Sequence, residues 1–315
     1  MNFNSKIKQN FILTNILFRL VFFMLAISMV STASLAQDSL LIAKIKEEIN
    51  QKGESEKIKF LKEEKDALEI LDFMSTFMKE SKKPEKFSTV YMIYGIYRAN
   101  KDREKIKNRV IDILCTSCND AVESVSDKAA SFLLNFCKND FTKKQIKHLK
   151  KCIATKRSDP DFLLLSGIIG GASQMKELKK SIALQTKGKE EKDIGIYYEH
   201  YALARMGDQA AIKHCINKIT EQKDEDDILV YDTKWFSYIR DEQTIKILVD
   251  YLFSDKYTSF TGECIINEKY AQIVIQYFPD AIRSFPVQEK GYYTDEDVAI
   301  ARKWIIEHPN YKIRR

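Results

Sequence analysis

Turn formers are scarce: the 315 residues contain only 10 glycines and 5 prolines. An all-β chain or a disordered one needs more of both. Histidine is nearly as rare, with four residues, and none of His148, His200, His214 and His308 belongs to a His-Glu-x-x-His motif. No Gly-x-Ser-x-Gly elbow and no Walker-type phosphate loop occurs either. These absences remove the zinc peptidases, α/β-hydrolases and P-loop nucleotide hydrolases that a linear motif would betray. A carboxylate-based enzyme leaves no such mark, but nothing nominates a catalytic residue or a cofactor. A zinc site could use Cys115, Cys118, Cys137 and either His148 or Cys152, but its second half lacks the tight spacing of zinc motifs. Beyond the N-terminus, no run approaches the roughly 18 apolar residues of a membrane span.

The N-terminus has its own composition. Lys6, Lys8 and Arg19 are the only charged residues before Asp38. A mostly apolar stretch follows from Leu20 to Val30, too short for a span and suited to the apolar region of a signal peptide. Ser34 and Ala36 then put small side chains where a signal peptidase reads them, so residues 1–36 are expected to be a cleavable signal peptide and Gln37 the mature start. No cysteine lies near that point, so a lipoprotein is not expected. Export to the periplasm or beyond the cell follows. Losing three basic residues lowers the formal charge from +6 to +3, too mild a bias to indicate nucleic acid.

What is abundant is helix-forming: lysine, glutamate, leucine, isoleucine and alanine. Apolar residues recur at helical spacing along most of the chain. Ile212, Cys215, Ile216 and Ile219 form one stripe, and Ile245, Leu248, Val249 and Leu252 another. Ile106, Val110 and Ile113 keep the frame with Arg109 as a polar member. Such a stripe buries one face of an amphipathic helix. An aspartate stands four residues ahead of each: Asp208, Asp241 and Asp102. Aspartate there caps the helix and complements its dipole.

Looser versions start at Asp140 and Ser173, so five starts lie 33 to 38 residues apart. Each follows another apolar helix, read at Phe87–Arg98, Asp127–Cys137, Asp161–Ile169, Ile194–Met206 and Ile228–Ile239. Asp159 and Pro160 supply a cap and a first-turn proline for the third. The period is that of helical-hairpin repeats, which bury their faces by stacking on neighbours. The expected fold is therefore all-α, an α-α superhelix of hairpins. Residues 37–85 read as an N-terminal helical cap, with helices at Leu40–Ile49 and Ile58–Met78. Residues 86–255 hold the repeats, and residues 256–315 form a C-terminal helical cap. In that last part Tyr257–Gly262 reads as a loop and Ile265–Tyr277 as a helix ended by Pro279. Asp295–His308 reads as a final helix with Thr294 and Asp297 in capping-box register.

The run YALARMGDQAAI over residues 201–212, followed by Ile216 and Ile219, resembles HEAT repeats. In that family the first helix often ends in small and apolar residues, a glycine-aspartate turn follows, and an alanine-isoleucine pair opens the second helix. Asp241–Leu252 and Asp102–Leu114 match more weakly, and the resemblance covers about residues 86–255. Ser173 departs from the aspartate pattern, and prolines and arginines common in such repeats are missing. The resemblance implies a curved superhelix and a protein-binding or scaffolding role, and carries over no catalytic residue.

Six cysteines, Cys115, Cys118, Cys137, Cys152, Cys215 and Cys264, lie in the mature part. An even count in an exported protein permits disulfides, and buried thiols are the simpler reading. Cys115 and Cys118 sit at the C-terminal end of a helix, where the dipole raises a thiol pKa, which argues against redox chemistry. Gly170 and Gly171 fall in an inter-helix turn and read as glycines needed for backbone freedom.

Charge is unevenly spread. Residues 141–189 carry twelve basic and three acidic residues, whereas residues 190–250 carry fourteen acids against eight bases. The candidate binding face is Lys143, Lys144, Lys147, Lys150, Lys151, Lys176, Lys179 and Lys180, on two successive second helices. It would steer an acidic protein partner or simply solvate the helices. Tyr91, Tyr94 and Tyr97, and Tyr197, Tyr198 and Tyr201, read mainly as packing between repeats, with any exposed one an anchor. The expected function is non-catalytic binding or scaffolding of another protein in a bacterial cell envelope. The alternative is a helical envelope enzyme acting on a glycan or peptide.

Overall fold

The structure, a computed structural model, describes residues 64–80, 85–189, 197–221, 224–258, 268–287 and 292–314. The expected signal peptide, the Leu40–Ile49 helix and Cys264 lie outside them. Among the described residues there is no strand, only two isolated antiparallel bridges, and the fold is all-α. No described helix is long and apolar enough to cross a membrane. The chain divides into two compact units, one ending at Leu133 and the other starting at Leu134.

The first unit contains α1 (Glu64–Glu80), α2 (Glu85–Ala99), α3 (Glu104–Ser117) and α4 (Glu123–Leu133). Ala67, Ile70, Leu71, Met74 and Met78 give α1 a buried stripe at helical spacing. Helix α1 packs on α2 and α3, α2 on α3 and α4, and α3 on α4. The polar break in the α3 stripe has a partner: Arg109 Nε donates to Asp72 Oδ1 of α1 at 2.7 Å. Lys86 and Asp120 pair at 2.8 Å with both side chains 9% exposed, so removing either would strand a nearly buried charge.

The second unit runs through α5 (Lys143–Thr155), α6 (Pro160–Ile169), α7 (Ala172–Gln185), α8 (Tyr198–Arg205) and α9 (Gln209–Thr220). It continues with α10 (Glu225–Asp227), a π-helical turn (Ile228–Asp232), α11 (Thr233–Ile239) and α12 (Glu242–Leu252). It closes with α13 (Tyr270–Val274), α14 (Phe278–Ala281) and α15 (Asp295–Glu307). Helix α6 packs on α5 and α8, α8 on α7, α9 and α11, and α12 on α11 and α13. One apolar core, including Leu203, Ile212, Phe236, Leu248 and Phe278, runs through the helices from α6 onward.

Caps explain where the helices start. Asp208 accepts from Ala211 N, Asp241 from Gln243 N, and Asp159 from the amides of Asp161 and Phe162 with Pro160 in the first turn. Three expected starts move. Helix α3 is preceded by Arg103 rather than Asp102, with no side-chain cap. Helix α5 is capped by Thr142, in a capping box with Gln145, while the Asp140 carboxylate is taken by Cys137 N at 2.8 Å. Helix α7 starts after Gly171 rather than Ser173. Thr294 and Asp297 form the expected capping box of α15. Pro279 does not break a helix but sits in the first turn of α14, where its missing N–H costs nothing.

Two inter-helix turns share a left-handed residue directly before a capping aspartate. After α8, Gly207 takes φ 90°, Asp208 N donates to Leu203 O and Gly207 N to Ala204 O, which is a Schellman closure. After α11, Arg240 occupies the corresponding left-handed position at φ 55°, again directly before a capping aspartate. A non-glycine residue pays about 1–2 kcal/mol there. Arg240 offsets it by donating to Cys137 Sγ at 3.3 Å and Arg314 O at 3.1 Å from a nearly buried position.

Glycine serves space more than dihedral freedom in α6 and its turn. A Cβ on Gly167 would meet the Ala202 Cα at 2.8 Å and would also run into the Tyr238 hydroxyl. That hydroxyl donates to Leu164 O at 2.5 Å, so α6, α8 and α11 meet here at closest approach. Gly170 and Gly171 both have negative φ, contrary to the expected backbone requirement. At Gly170 a Cβ would instead collide with Ser166 O and Met206.

Candidate functional site

All eight candidate lysines are exposed. On α5 the buried residues are Gln145, Leu149, Cys152 and Ile153. At 3.6 residues per turn, Lys143, Lys144, Lys147, Lys150 and Lys151 occupy an arc of about 120° on the opposite side. Leu178 is the buried residue of α7, and Lys176, Lys179 and Lys180 stand across from it within an arc of about 100°. Each helix thus presents a lysine row to solvent because its apolar stripe faces the core.

Acids at the edge of these rows are already engaged. Lys179 pairs with Asp208, the cap of α9. Burial alone would raise the Asp208 pKa, but the Lys179 ammonium and the amides of Ala211 and Ala210 outweigh it and hold the carboxyl below its ordinary value. Arg157 reaches Glu177 at 3.7 Å, a long surface pair worth little. Lys156 lies 5.1 Å from the Phe162 ring centre and so packs inward rather than joining the row.

The tyrosines are mostly packing. Tyr94 stacks on Phe132 with centroids 4.2 Å apart, Tyr91 meets the same ring edge-on, and Tyr97 is buried. Tyr201 stacks on Trp235 at 4.2 Å, and Lys234 sits 5.0 Å from that indole. Tyr198, 40% exposed, meets Trp235 edge-on and is the surface member of this group.

Sequence reasoning missed a histidine pair. The Gly207 turn folds α9 back on α8, stacking His200 and His214 with centroids 4.3 Å apart. Tyr197 N donates to His200 Nδ1 at 3.1 Å, which assigns the proton of the neutral ring to Nε2. Burial, then His214, lowers the His200 pKa to about 4, against a smaller upward pull from Glu199. Glu199 itself is buried and accepts from Ser181 Oγ at 3.0 Å and Gln185 Nε2 at 2.7 Å, tying α8 to α7. These groups bond to the fold rather than to an open pocket.

Cys115, Cys118, Cys137, Cys152 and Cys215 are buried thiols. Burial pushes Cys215 up to about 12 and raises Cys152 as well, so neither is poised as a nucleophile. Among the described residues no group of three or more histidine, cysteine, aspartate or glutamate side chains converges as a metal site would.

No protein-family model, curated protein or solved structure matches this chain. The two lysine rows form an exposed basic surface on α5 and α7. A separate cleft of about 440 Å3 opens where α15 meets the C-terminal segment.

Proposed function

We propose that the chain is an exported stack of HEAT-like helical hairpins that binds an acidic protein of the bacterial envelope without catalysis. The observation that carries this reading is the placement of the eight lysines. All are exposed, and they sit on α5 and α7, which this reading takes as the second helices of two successive pairs. The order of packing supports the stack: first helices α6, α8 and α11 contact one another in turn, and α8 and α11 each hold their own second helix. In such an arrangement second helices line the concave face, which would bring both rows before one partner. Opposite charge would then steer encounter and fix register more than it adds affinity.

The test is affinity capture with crosslinking, using mature protein (residues 37–315) and envelope extract. A second bait carries Lys143, Lys147, Lys150, Lys176 and Lys180 changed to glutamate. The proposal expects one acidic protein captured by the native form, weakened by added salt, and lost with the charge-reversed form. Equal capture by both baits, or none by either, overturns it.

A further inference from the structure

The geometry points to a second site, independent of the lysine rows: the cleft beside α15 is built to bind a small organic anion, a carboxylate or phosphate carried on an apolar body. The C-terminal segment returns along residues 281–283 as an antiparallel bridge between Ile282 and Ile313. Arg283 N donates to Lys312 O at 2.9 Å and Arg314 N to Ala281 O at 2.8 Å. This register sets Arg283 and Lys312 directly opposite one another. Like charges in that relation repel and destabilise the pairing. Among the described residues neither cation has a carboxylate partner, and both line the cleft.

Three further features belong to the same place. Glu307, the acid among the lining residues, meets Lys303 one turn earlier only as a long surface pair at 3.8 Å, so the two cations of the cleft face one carboxylate. Ser284, next to Arg283, is held at φ 59°, a left-handed conformation that a serine does not adopt without cost. Strain and unrelieved repulsion together are what a fold tolerates where function requires it. Trp304 supplies an apolar wall, steadied by His308 stacked on it at 4.5 Å and Phe285 edge-on at 5.6 Å. The cleft, about 440 Å3, is open to solvent, with Arg283 and Lys312 exposed on its rim. A fork-shaped guanidinium beside an ammonium matches the two or three oxygens of a carboxylate or phosphate, and the indole matches the body that carries them.

The experiment uses Trp304 as reporter. The chain has two tryptophans, so Trp235→Phe leaves Trp304 alone. Benzoate and phenyl phosphate are titrated, with benzyl alcohol as the neutral control. The expected result is a saturable fluorescence change with at least one anion and none with the alcohol. The tighter of the two anions tells carboxylate from phosphate. Arg283→Gln with Lys312→Gln should weaken binding at least about tenfold while raising Tm, because repulsion is relieved. Lys312→Glu, which gives Arg283 an internal partner, should also raise Tm and abolish the response. No saturable change with either anion, an equal response to benzyl alcohol, or unchanged affinity in both variants overturns the proposal.

Discussion

Acidification should destabilise the second unit through one residue. His200 is 6% exposed, stacked on His214, and receives the Tyr197 amide at Nδ1. Protonation would cost that hydrogen bond as well as the burial of a charge. Its pKa falls from the ordinary 6.5 to about 4 on folding. The sign follows: below pH 6.5 the unfolded chain takes up a proton that the folded chain refuses. The contribution of the neutral ring is therefore intact above 6.5 and is lost as pH falls toward 4. At about pH 5 the two pKa values correspond to a loss of about 2 kcal/mol, whereas at about pH 7.5 the loss is close to zero. Urea unfolding, followed by tryptophan fluorescence at the two pH values, measures the difference. His200→Asn keeps an acceptor for Tyr197 N but cannot titrate. It should lose about 2 kcal/mol less than the native protein between the two pH values. Identical pH dependence in both proteins would refute the assignment.

Three other substitutions probe the fold. Gly167→Ala puts a methyl group into the Ala202 backbone and the Tyr238 hydroxyl, and should destabilise by about 3 kcal/mol in chemical denaturation. Arg240→Gly relieves the left-handed backbone while Arg240→Ala does not; both lose the bonds to Cys137 and Arg314, so the glycine variant should be the more stable by about 1 kcal/mol. Asp208→Ala removes a helix cap and should lower stability by about 1 kcal/mol, whereas Asp102→Ala, which removes none, should be near neutral in the same melts.

What the sequence made legible was whatever depends on neighbours along the chain. The stripes Ile212–Cys215–Ile219 and Ile245–Leu248–Leu252 are buried, because helical periodicity alone decides which side faces inward. Asp208, Asp241 and Asp159 cap as read, since a cap needs only residues two or three positions away. The cap was misplaced where a better local competitor stood nearby: Thr142 with Gln145 displaced Asp140, whose carboxylate went to Cys137 N. The lysines of α5 and α7 were legible as exposed for the same periodic reason. The Arg283–Lys312 opposition was not, because 29 residues separate them and only the bridge at Ile282 and Ile313 brings them together. Nor was the His200–His214 stack, which depends on the angle at which the Gly207 turn returns α9 against α8.

The most direct test of the binding proposal is hydrogen exchange of the native protein with and without its captured partner. Protection concentrated in residues 143–155 and 172–185, and lost in the charge-reversed form, is the predicted result. Protection confined to other helices, with the lysine rows exchanging unchanged, would contradict it.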